Sequence, residues 1–500
     1  MKRRRVLALL GGSVAALSGC SGDESETPPV TPADVPGGNG TNDGDGPNGE
    51  VTPPPGDWTV VDLRTVRRTL ALPTPWYAAD DAEVRVWFAG TATADHPATI
   101  RATLTNRMQG PNTIALRDLP PFGDPYSAPP DAGIDRPYRD ALAFAPTERT
   151  DLAEAIPGVE RTAEGYWRLP ETGTWLPETL ELGSGETVAG EFVLVRHPEA
   201  RGYPTGCYEW RSGETRFTVA AWDTGAPGPD ETSRFAGESV PSLPDASSVA
   251  WFHEAGGTTP AFLEPSAERV EAPARVGFTL YNHSGDEMGG NRHDWRLFKL
   301  VDGEWFHVVP WAIPVPYTTL PPGGTEEWTI RAFSGRAAPC DDGIDVGYLG
   351  GGRYAFRVAL SRESDGESDD DGEGVHAALF DLDAPAIEVT PTDDVRAARD
   401  GERVVVTSPR HRAEGEHRRP ATLTLTRTDA DADERLVPEQ VMRRRLRGLR
   451  NALAGVEAGV ETVVLRTDER TAERAVDYDA DSRTVEFEGD TYRVTVSRGQ

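Results

Sequence analysis

The sequence predicts a mainly β protein, with two tandem antiparallel β-sandwiches followed by a small α+β domain. Three observations support this prediction. Several sequence blocks occur twice in the same order, and short runs within them alternate between apolar and polar residues. Turns rich in Gly and Pro separate these runs, whereas a helical apolar period occurs in one segment near the C-terminal end.

The chain begins with a segment typical of an export signal. A basic start precedes an almost wholly apolar stretch at 6–17, which is too short to cross a bilayer as a helix. The ending Leu-Ser-Gly-Cys at 17–20 resembles the lipobox of prokaryotic lipoproteins, and Arg3 and Arg4 resemble the twin-arginine motif of the Tat route. The resemblance implies that residues 1–20 are a signal peptide. It also implies that Cys20 is lipidated and anchors an exported chain to the outer face of the cytoplasmic membrane.

The composition is strongly acidic, with 82 Asp and Glu residues against 51 Lys and Arg residues and a formal net charge of -31. Lys2 and Lys299 are the only lysines. Such a balance resembles the proteins of extremely halophilic archaea, in which concentrated salt screens the repulsion between carboxylates. An anionic surface also repels phosphate backbones, so we expect no nucleic-acid partner.

Residues 21–56 are rich in Pro, Gly, Asp and Thr and predict a disordered tether. The following 57–225 and 245–389 contain the repeat and predict the two sandwiches, because their apolar residues alternate as in half-buried strands. The first copy carries an insertion at about 120–175. The matched blocks are Trp87-Phe88 with Trp251-Phe252, 99–106 with 275–282, Leu182, Gly185 and Thr187 with Leu320, Gly323 and Thr325, and Gly206, Tyr208 and Trp210 with Gly352, Tyr354 and Phe356.

The motifs "LTN", "LPPGG" and "GGRY" in these copies resemble bacterial Ig-like domains of exported proteins. The resemblance implies that Tyr208 and Tyr354 lie near the last strands as corner tyrosines, with hydroxyl groups bonded to the backbone. We expect five large apolar residues to lie in the core, although an aromatic ligand platform is the alternative. They are Trp251, Phe278, Leu280, Trp328 and Phe356.

Residues 390–500 predict an α+β domain that resembles no family. Apolar residues recur at helical spacing from Met442 to Val456, which predicts one helix at about 437–457 between strands. An arginine cluster occupies this segment, and we expect a solvated face paired with carboxylates, with an anionic-ligand patch as the alternative. The cluster is Arg443, Arg444, Arg445, Arg447 and Arg450.

Candidate ligand residues are few. The acidic run 363–373 is expected to be an exposed hairpin tip, with loose cation binding as the alternative. His283, His293 and His307 lie near Asp and Glu residues but lack the spacing of a zinc site. Since recognisable catalytic motifs are absent, the sequence predicts no catalytic residue, no metal and no cofactor, although catalytic groups can converge from distant positions.

Two modifications are suggested by residue type alone. Cys207 and Cys340 could form a disulfide between the two copies in an oxidising environment, or remain separate thiols. Asn39 and Asn282 fit the glycosylation acceptor pattern, and Asn39 on the tether is the better candidate because Asn282 ends a strand of the repeat.

The function that these observations favour is a non-catalytic, lipid-anchored protein of the cell envelope. Its tandem domains would present surfaces to a protein, glycan or surface-layer partner. A solute- or ion-binding lipoprotein of a transporter or sensor is one alternative. An envelope hydrolase is the other, and both alternatives require a concave pocket.

Overall fold

The computed structural model describes a large part of the chain after the leader and tether. The described residues are 54, 56–74, 76–79, 81–117, 119–130, 140–212, 215–338, 343–362, 374–392, 394–412, 419–476 and 480–498. Residues 1–53, with Arg3, Arg4, Cys20 and Asn39, lie outside them, as do Cys340 and the acidic run 363–373. Within these ranges, none of the helices has the length and apolar composition needed to span a membrane.

The fold is mainly β and contains several sheets, in which most neighbouring strands are antiparallel and a few are parallel. The first β unit, 58–222, has sheet orders β1-β2-β13-β12 and β3-β4-β5-β11-β9-β8, with β7 beside β11 and β6 paired with β10. Its strands are β1 (Trp58–Asp62), β2 (Thr69–Pro73), β3 (Trp76–Ala79), β4 (Ala82–Gly90), β5 (Ala98–Asn106), β6 (Asn112–Ala115), β7 (Leu142–Pro146), β8 (Glu160–Arg161), β9 (Trp167–Arg168), β10 (Thr179–Leu182), β11 (Thr187–Arg196), β12 (Gly206–Ser212) and β13 (Thr215–Trp222).

Two sheets of the first β unit share one apolar core. Phe192 on β11 and Tyr208 on β12 are fully buried in it. The insertion contributes to this core, because β7 pairs with β11 and Phe144 stacks on Trp210 with ring centroids 4.5 Å apart. The inserted residues therefore widen a sheet and fill the core.

The second β unit, 249–383, repeats this packing. One sheet has the order β14-β24-β23-β18-β19, with β16 and β20 attached, and the other has the order β15-β17-β21-β22. Its strands are β14 (Val249–Trp251), β15 (Ala261–Pro265), β16 (Arg269–Glu271), β17 (Ala274–Asn282), β18 (Met288–Val301), β19 (Glu304–Val309), β20 (Thr318–Leu320), β21 (Thr325–Ala332), β22 (Ile344–Val346), β23 (Gly352–Arg362) and β24 (Val375–Asp383).

The predicted core residues of the second β unit are buried. Phe278 and Phe356 stack across the two sheets with centroids 4.3 Å apart, and Leu280 is fully buried beside them. Trp251 is also buried, but on the outer face of the larger sheet, where it stacks on Trp305. A segment that includes Phe235 and Leu243 covers that face.

The central strands of one sheet in each β unit correspond, but one proposed match between the copies does not. Strand β5 lies between β4 and β11, and β17 lies between β15 and β21 in the same way. Trp87 lies on β4, whereas Trp251 lies on β14, which pairs with β24. The proposed match between these two tryptophans is therefore wrong, because β15 holds the position that corresponds to β4.

The asparagine that ends each central strand has a structural role. Asn106 and Asn282 are fully buried. Each amide group donates to one backbone carbonyl group in the following turn and to two in the turn before the neighbouring strand, β11 or β21, which satisfies a buried polar side chain. The Asn106 acceptors are Gly110, Leu182 and Gly183, at 2.9, 3.0 and 2.8 Å, and the Asn282 acceptors are Asp286, Leu320 and Pro321, at 2.9, 3.0 and 3.1 Å.

The corner tyrosines are confirmed. The Tyr208 hydroxyl donates to the carbonyl oxygen of Pro204 at 2.7 Å, and the Tyr354 hydroxyl donates to that of Gly350 at 2.6 Å. Both rings are fully buried. Each hydroxyl group thus bonds to the backbone four residues earlier and closes the turn that precedes its strand.

The C-terminal unit, 396–498, is one sheet with short helices against it. Its order is β25-β26-β29-β27-β31-β30-β28. The elements are β25 (Arg396–Asp400), β26 (Arg403–Thr407), β27 (Pro420–Arg427), β28 (Glu434–Leu436), α1 (Pro438–Val441), α2 (Arg447–Leu453), β29 (Thr462–Asp468), α3 (Glu469–Glu473), β30 (Ser482–Phe487) and β31 (Asp490–Arg498).

The prediction of one continuous helix at 437–457 is wrong, because the segment forms two short helices. α1 and α2 are separated by an extended residue, Arg443, and a 3-10 turn at Arg444–Leu446. The apolar residues Leu446 and Leu449 are buried as predicted. The backbone breaks because the Arg443 side chain and α1 are held by the second β unit, while α2 packs on the C-terminal sheet.

Candidate functional site

A buried ion pair joins the C-terminal unit to the second β unit. Lys299 on β18 donates to Glu439 on α1, and the exposed fractions of the two side chains are 12% and 1%. The backbone N–H of Gly350 donates to the same carboxylate oxygen at 3.0 Å. Gln440 donates to the carbonyl oxygen of His307 at 3.1 Å. These bonds hold α1 on the second β unit.

The space around this pair explains why a lysine occurs in an arginine-rich chain. A Cβ atom at Gly350 would lie 2.6 Å from the Glu439 carboxylate and 3.3 Å from the Lys299 amine. A Cβ atom at Gly352 would lie 3.4 Å from the Lys299 side chain. The glycine turn therefore leaves a narrow slot, which admits a compact ammonium group more easily than a planar guanidinium group.

Arg443 closes the same junction. Its guanidinium donates to the carbonyl oxygen of Glu439 at 2.9 Å and to that of Tyr348 at 3.3 Å. Burial lowers the pKa of Arg443 to about 10, because desolvation disfavours its charged form. Burial likewise raises the pKa of the Tyr354 hydroxyl, which lies under the Lys299 amine.

The other arginines of the cluster are not one solvated face. Arg447 pairs with the Asp394 carboxylate at 2.9 Å, as predicted. Arg450 donates to the carbonyl oxygen of Thr390 and lies over the ring of Tyr348. Arg445 lies 4.6 Å from the ring centroid of Trp311 in the second β unit. Several of these contacts reach another unit, so spacing along a single helix could not predict them.

An exposed aromatic loop lies beside Arg445. It connects β19 to β20 at 310–317 and has the sequence PWAIPVPY. Three of its large apolar side chains are exposed, with fractions of 39% for Trp311, 89% for Val315 and 62% for Tyr317. A cluster of exposed apolar residues on one short loop is typical of an interaction surface.

The two ends and the tip of this loop are supported by the sheet. The Asn291 amide donates to the carbonyl oxygen of Pro314 at 2.6 Å. The Tyr317 ring lies so close to β18 that a Cβ atom at Gly289 would collide with it. The His307 ring contacts Trp311 with centroids 4.9 Å apart. Prolines at 310, 314 and 316 further restrict the backbone.

A charged network lies on the sheet near His307. Arg296 and Arg357 are neighbours on β18 and β23. Arg296 pairs with Asp245 at 2.6 Å and with Asp294 at 3.4 Å, and Arg357 also pairs with both carboxylates. The four side chains neutralise each other, so this network offers no free charge for a ligand.

His307 has a strongly lowered pKa, of about 4. Burial is the largest cause, and the positive charge of Arg296 adds to it. Among the described atoms, its Nε2 is buried without a hydrogen-bond partner. The ring is therefore neutral at pH 7 and serves as an apolar support for Trp311.

We expect His307 to make the protein less stable in acid. Between an unfolded pKa of about 6.5 and a folded pKa of about 4, the unfolded chain binds the extra proton, so stability falls as pH decreases through this window. The loss is about 1–2 kcal/mol after allowance for partial exposure. Urea unfolding at neutral and acidic pH should show a shallower pH dependence for His307→Gln. The exposed His293 supplies the control, His293→Gln, and equal slopes for wild type and His307→Gln would contradict the assignment.

The remaining predicted residues lie apart from this loop. His283 stacks on Trp222 of the first β unit, with centroids 6.2 Å apart, and its Nδ1 is 2.6 Å from the carbonyl oxygen of Pro227. Burial lowers its pKa. Cys207 is disulfide-bonded, and its Sγ lies 3.9 Å from the Gly323 carbonyl oxygen of the second β unit. Since Cys340 lies outside the described residues, its pairing with Cys207 stays a prediction.

The buried position of Asn282 bears on its proposed modification. Its amide nitrogen donates to three backbone oxygens, one in the following turn and two in the turn before β21. A glycan on this nitrogen would have to displace these bonds in the folded chain. Asn39 lies outside the described residues and stays a prediction.

The described part of the chain contains no group of three or more His, Cys, Asp or Glu side chains placed to hold a metal ion. A small cavity lies in the first β unit, lined by apolar residues such as Leu63, Leu70 and Leu194. Its volume is about 10 Å³, which is space for roughly one water molecule.

Comparison with known proteins adds little to this geometry. No family model and no curated protein matches the chain. Among solved structures, it is similar to a polysaccharide lyase, with 9% identity and a TM-score of 0.13 over 64% of this chain and 36% of that chain. It is similar to the native conformation of E. coli alpha-2-macroglobulin, with 8% identity and a TM-score of 0.14 over 87% and 25% of the two chains.

A third similar structure is that of the Enterococcus faecalis MSCRAMM ACE, which binds its ligands by the collagen hug model. The identity is 8% and the TM-score is 0.12, over 58% of this chain and 90% of that chain. This chain spans much less than two thirds of the lyase and the macroglobulin. Scores this low carry no argument, so the site rests on its own geometry.

The aromatic loop was missed by the sequence analysis. Its signal was present, because an apolar, proline-rich run between two strands is too irregular to alternate as a strand. The partner residue Arg445 could not be inferred, since it lies more than a hundred residues away on another unit.

Proposed function

We propose that this protein is a non-catalytic, lipid-anchored binding protein of the cell envelope. The proposal combines two tandem Ig-like sandwiches with a lipidated Cys20 behind a Tat-type leader, in a chain of the haloarchaeal type. The observation that carries its binding role is the exposed loop 310–317. Asn291 on β18 bonds to this loop at Pro314, and Arg445 of the C-terminal unit contacts it at Trp311.

The geometry favours binding over the two alternatives. A solute-binding protein or a hydrolase needs a concave pocket that encloses a small molecule, and such pockets have volumes of several hundred Å³. The cavity in the first β unit is about 10 Å³. The loop, in contrast, exposes Trp311, Val315 and Tyr317 to solvent, and an exposed apolar surface suits contact with a large partner.

Fractionation and cross-linking in cells test this function. In this experiment a photoreactive residue replaces Val315 in the full chain, once with Cys20 present and once with Cys20→Ser. We expect the chain with Cys20 to remain with the membrane, Cys20→Ser to be released from it, and adducts to form at residue 315. The exposed Ile156 provides the matched control position.

Two results would contradict the proposal. One is a chain that stays in the cytosol with its leader uncleaved and Cys20 unmodified. The other is a yield of adducts at residue 315 that is no higher than at residue 156.

A further inference from the structure

Two segments without acidic residues meet at the aromatic loop. No Asp or Glu occurs at 305–325 or at 440–456, although the chain has 82 such residues among 500. The contact between Trp311 and Arg445 joins these segments. The loop 310–317 therefore contacts Arg445, which follows the exposed Arg444 in a segment without acidic residues. The carboxylates of Asp245 and Asp294 near His307 are paired with Arg296 and Arg357. We call the loop together with Arg444 and Arg445 the patch, in a protein whose net charge is -31.

We propose that this patch docks on an anionic phospholipid bilayer. Val315 enters the boundary between head groups and acyl chains, Trp311 and Tyr317 lie at head-group level, and Arg444 and Arg445 pair with lipid phosphates. The inference deepens the proposed function by naming the partner of the same loop. It gives an envelope protein a second membrane contact in addition to its lipid, and two weak anchors together hold a protein stably.

The shape of the loop favours a bilayer over a protein partner. Stable protein interfaces bury about 800 Å² on each side and need a complementary surface. Here the exposed apolar side chains of the patch lie on one short loop, with Val315 almost fully exposed. A bilayer accepts such a loop without a matching surface, and the flanking Pro314 and Pro316 reduce the entropy lost when the loop is immobilised.

The arrangement of the aromatic rings is also less suited to a sugar. The Trp311 ring already contacts Arg445 and His307. The Tyr317 ring lies against β18 at Gly289. Trp and Tyr side chains in this setting keep an apolar body and a polar end, which is the combination that locates them at membrane interfaces.

The charge of the patch sets the orientation of docking. An anionic bilayer repels most of this acidic chain, so we expect the bilayer to be approached by a surface that presents arginines such as Arg444 and Arg445. Each arginine near an anionic surface strengthens binding by about five-fold. Arg444 and Arg445 together therefore account for about 30-fold at moderate salt, and screening reduces this factor as salt increases.

A fluorescence titration with vesicles tests the inference. The full chain carries Cys20→Ser and Val315→Cys, and residue 315 is labelled with a dye that brightens in an apolar environment. Mixed phosphatidylcholine and phosphatidylglycerol vesicles should raise the emission several-fold, whereas pure phosphatidylcholine should raise it little. Ile156→Cys in the same background is the matched control, because it tests an exposed apolar position away from the loop. The Cys20→Ser chain that keeps Val315 measures how much dye reacts with cysteines other than residue 315.

The outcomes separate this inference from the proposed function. A 30-fold weaker titration for Arg444→Ala with Arg445→Ala supports it. An unchanged emission at residue 315, or an equal response at residue 156, overturns it, as does finding only protein adducts at residue 315 in cells. Because the vesicle assay uses Cys20→Ser, it does not depend on lipidation. If the vesicles do not bind, the proposal that Cys20 is lipidated is unaffected. If Cys20 is not lipidated, the result of the vesicle titration is unaffected.

Discussion

Leu280→Asp is expected to abolish the cooperative unfolding of the second β unit. Leu280 is fully buried on β17, between Leu263 on β15 and the strand β21. The new carboxylate would lie in an apolar core without a partner. Its burial, or the structural change that exposes it, costs more than about 4 kcal/mol, which is a large fraction of the stability of one domain.

Thermal and urea unfolding followed by near-ultraviolet circular dichroism measure this effect. Arg275→Asp is the matched control, because Arg275 is exposed on the opposite face of the same strand. We expect the control to retain the wild-type transition within about 0.5 kcal/mol. If Leu280→Asp melts like the control, the assignment of Leu280 to the core is wrong.

Glu439→Gln is expected to weaken the junction between the second β unit and the C-terminal unit. The substitution leaves the Lys299 ammonium buried without a compensating charge. Removing one member of a buried pair costs about 3–5 kcal/mol. The C-terminal unit should therefore unfold at lower denaturant concentration, in a transition separate from that of the second β unit.

An exposed ion pair at the same junction supplies the control. Arg435 pairs with Asp302, whose side chain is mostly exposed, so Asp302→Asn should cost less than about 1 kcal/mol. Combining Glu439→Gln with Lys299→Met removes the unpaired charge and should recover part of the lost stability. Equal unfolding curves for Glu439→Gln and Asp302→Asn would show that the buried pair contributes no more than the exposed one.

Local pattern was sufficient for much of the fold. Alternating apolar residues identified β5 and β17, and the repeated motif around Asn106 and Asn282 corresponds to equivalent buried bonds in the two β units. The two corner tyrosines were implied by the resemblance to Ig-like domains, and their hydroxyl groups bond to the backbone only four residues away. Each of these features is decided by neighbours in sequence or by a strand pairing that recurs.

Predictions failed where a distant contact outweighed the local preference. The apolar period from Met442 to Val456 correctly marked a face that packs on the core, but it could not reveal that Arg443 would be extended to reach Tyr348. The match of Trp87 with Trp251 failed for a similar reason. The same residue types in two copies do not specify which strands will pair, and β4 with Trp87 pairs with β5 whereas β14 with Trp251 pairs with β24.

The sequence by itself determined the mainly β class, the repeat, the buried stripes and the acidic character, because periodicity and composition are properties of the chain. Only the tertiary structure decided that Lys299 meets Glu439, and that Trp311 meets Arg445 beside an exposed loop. These partners are more than a hundred residues apart, and packing between separate units brings them together. No local period encodes such a contact, so the candidate binding surface became visible only in three dimensions.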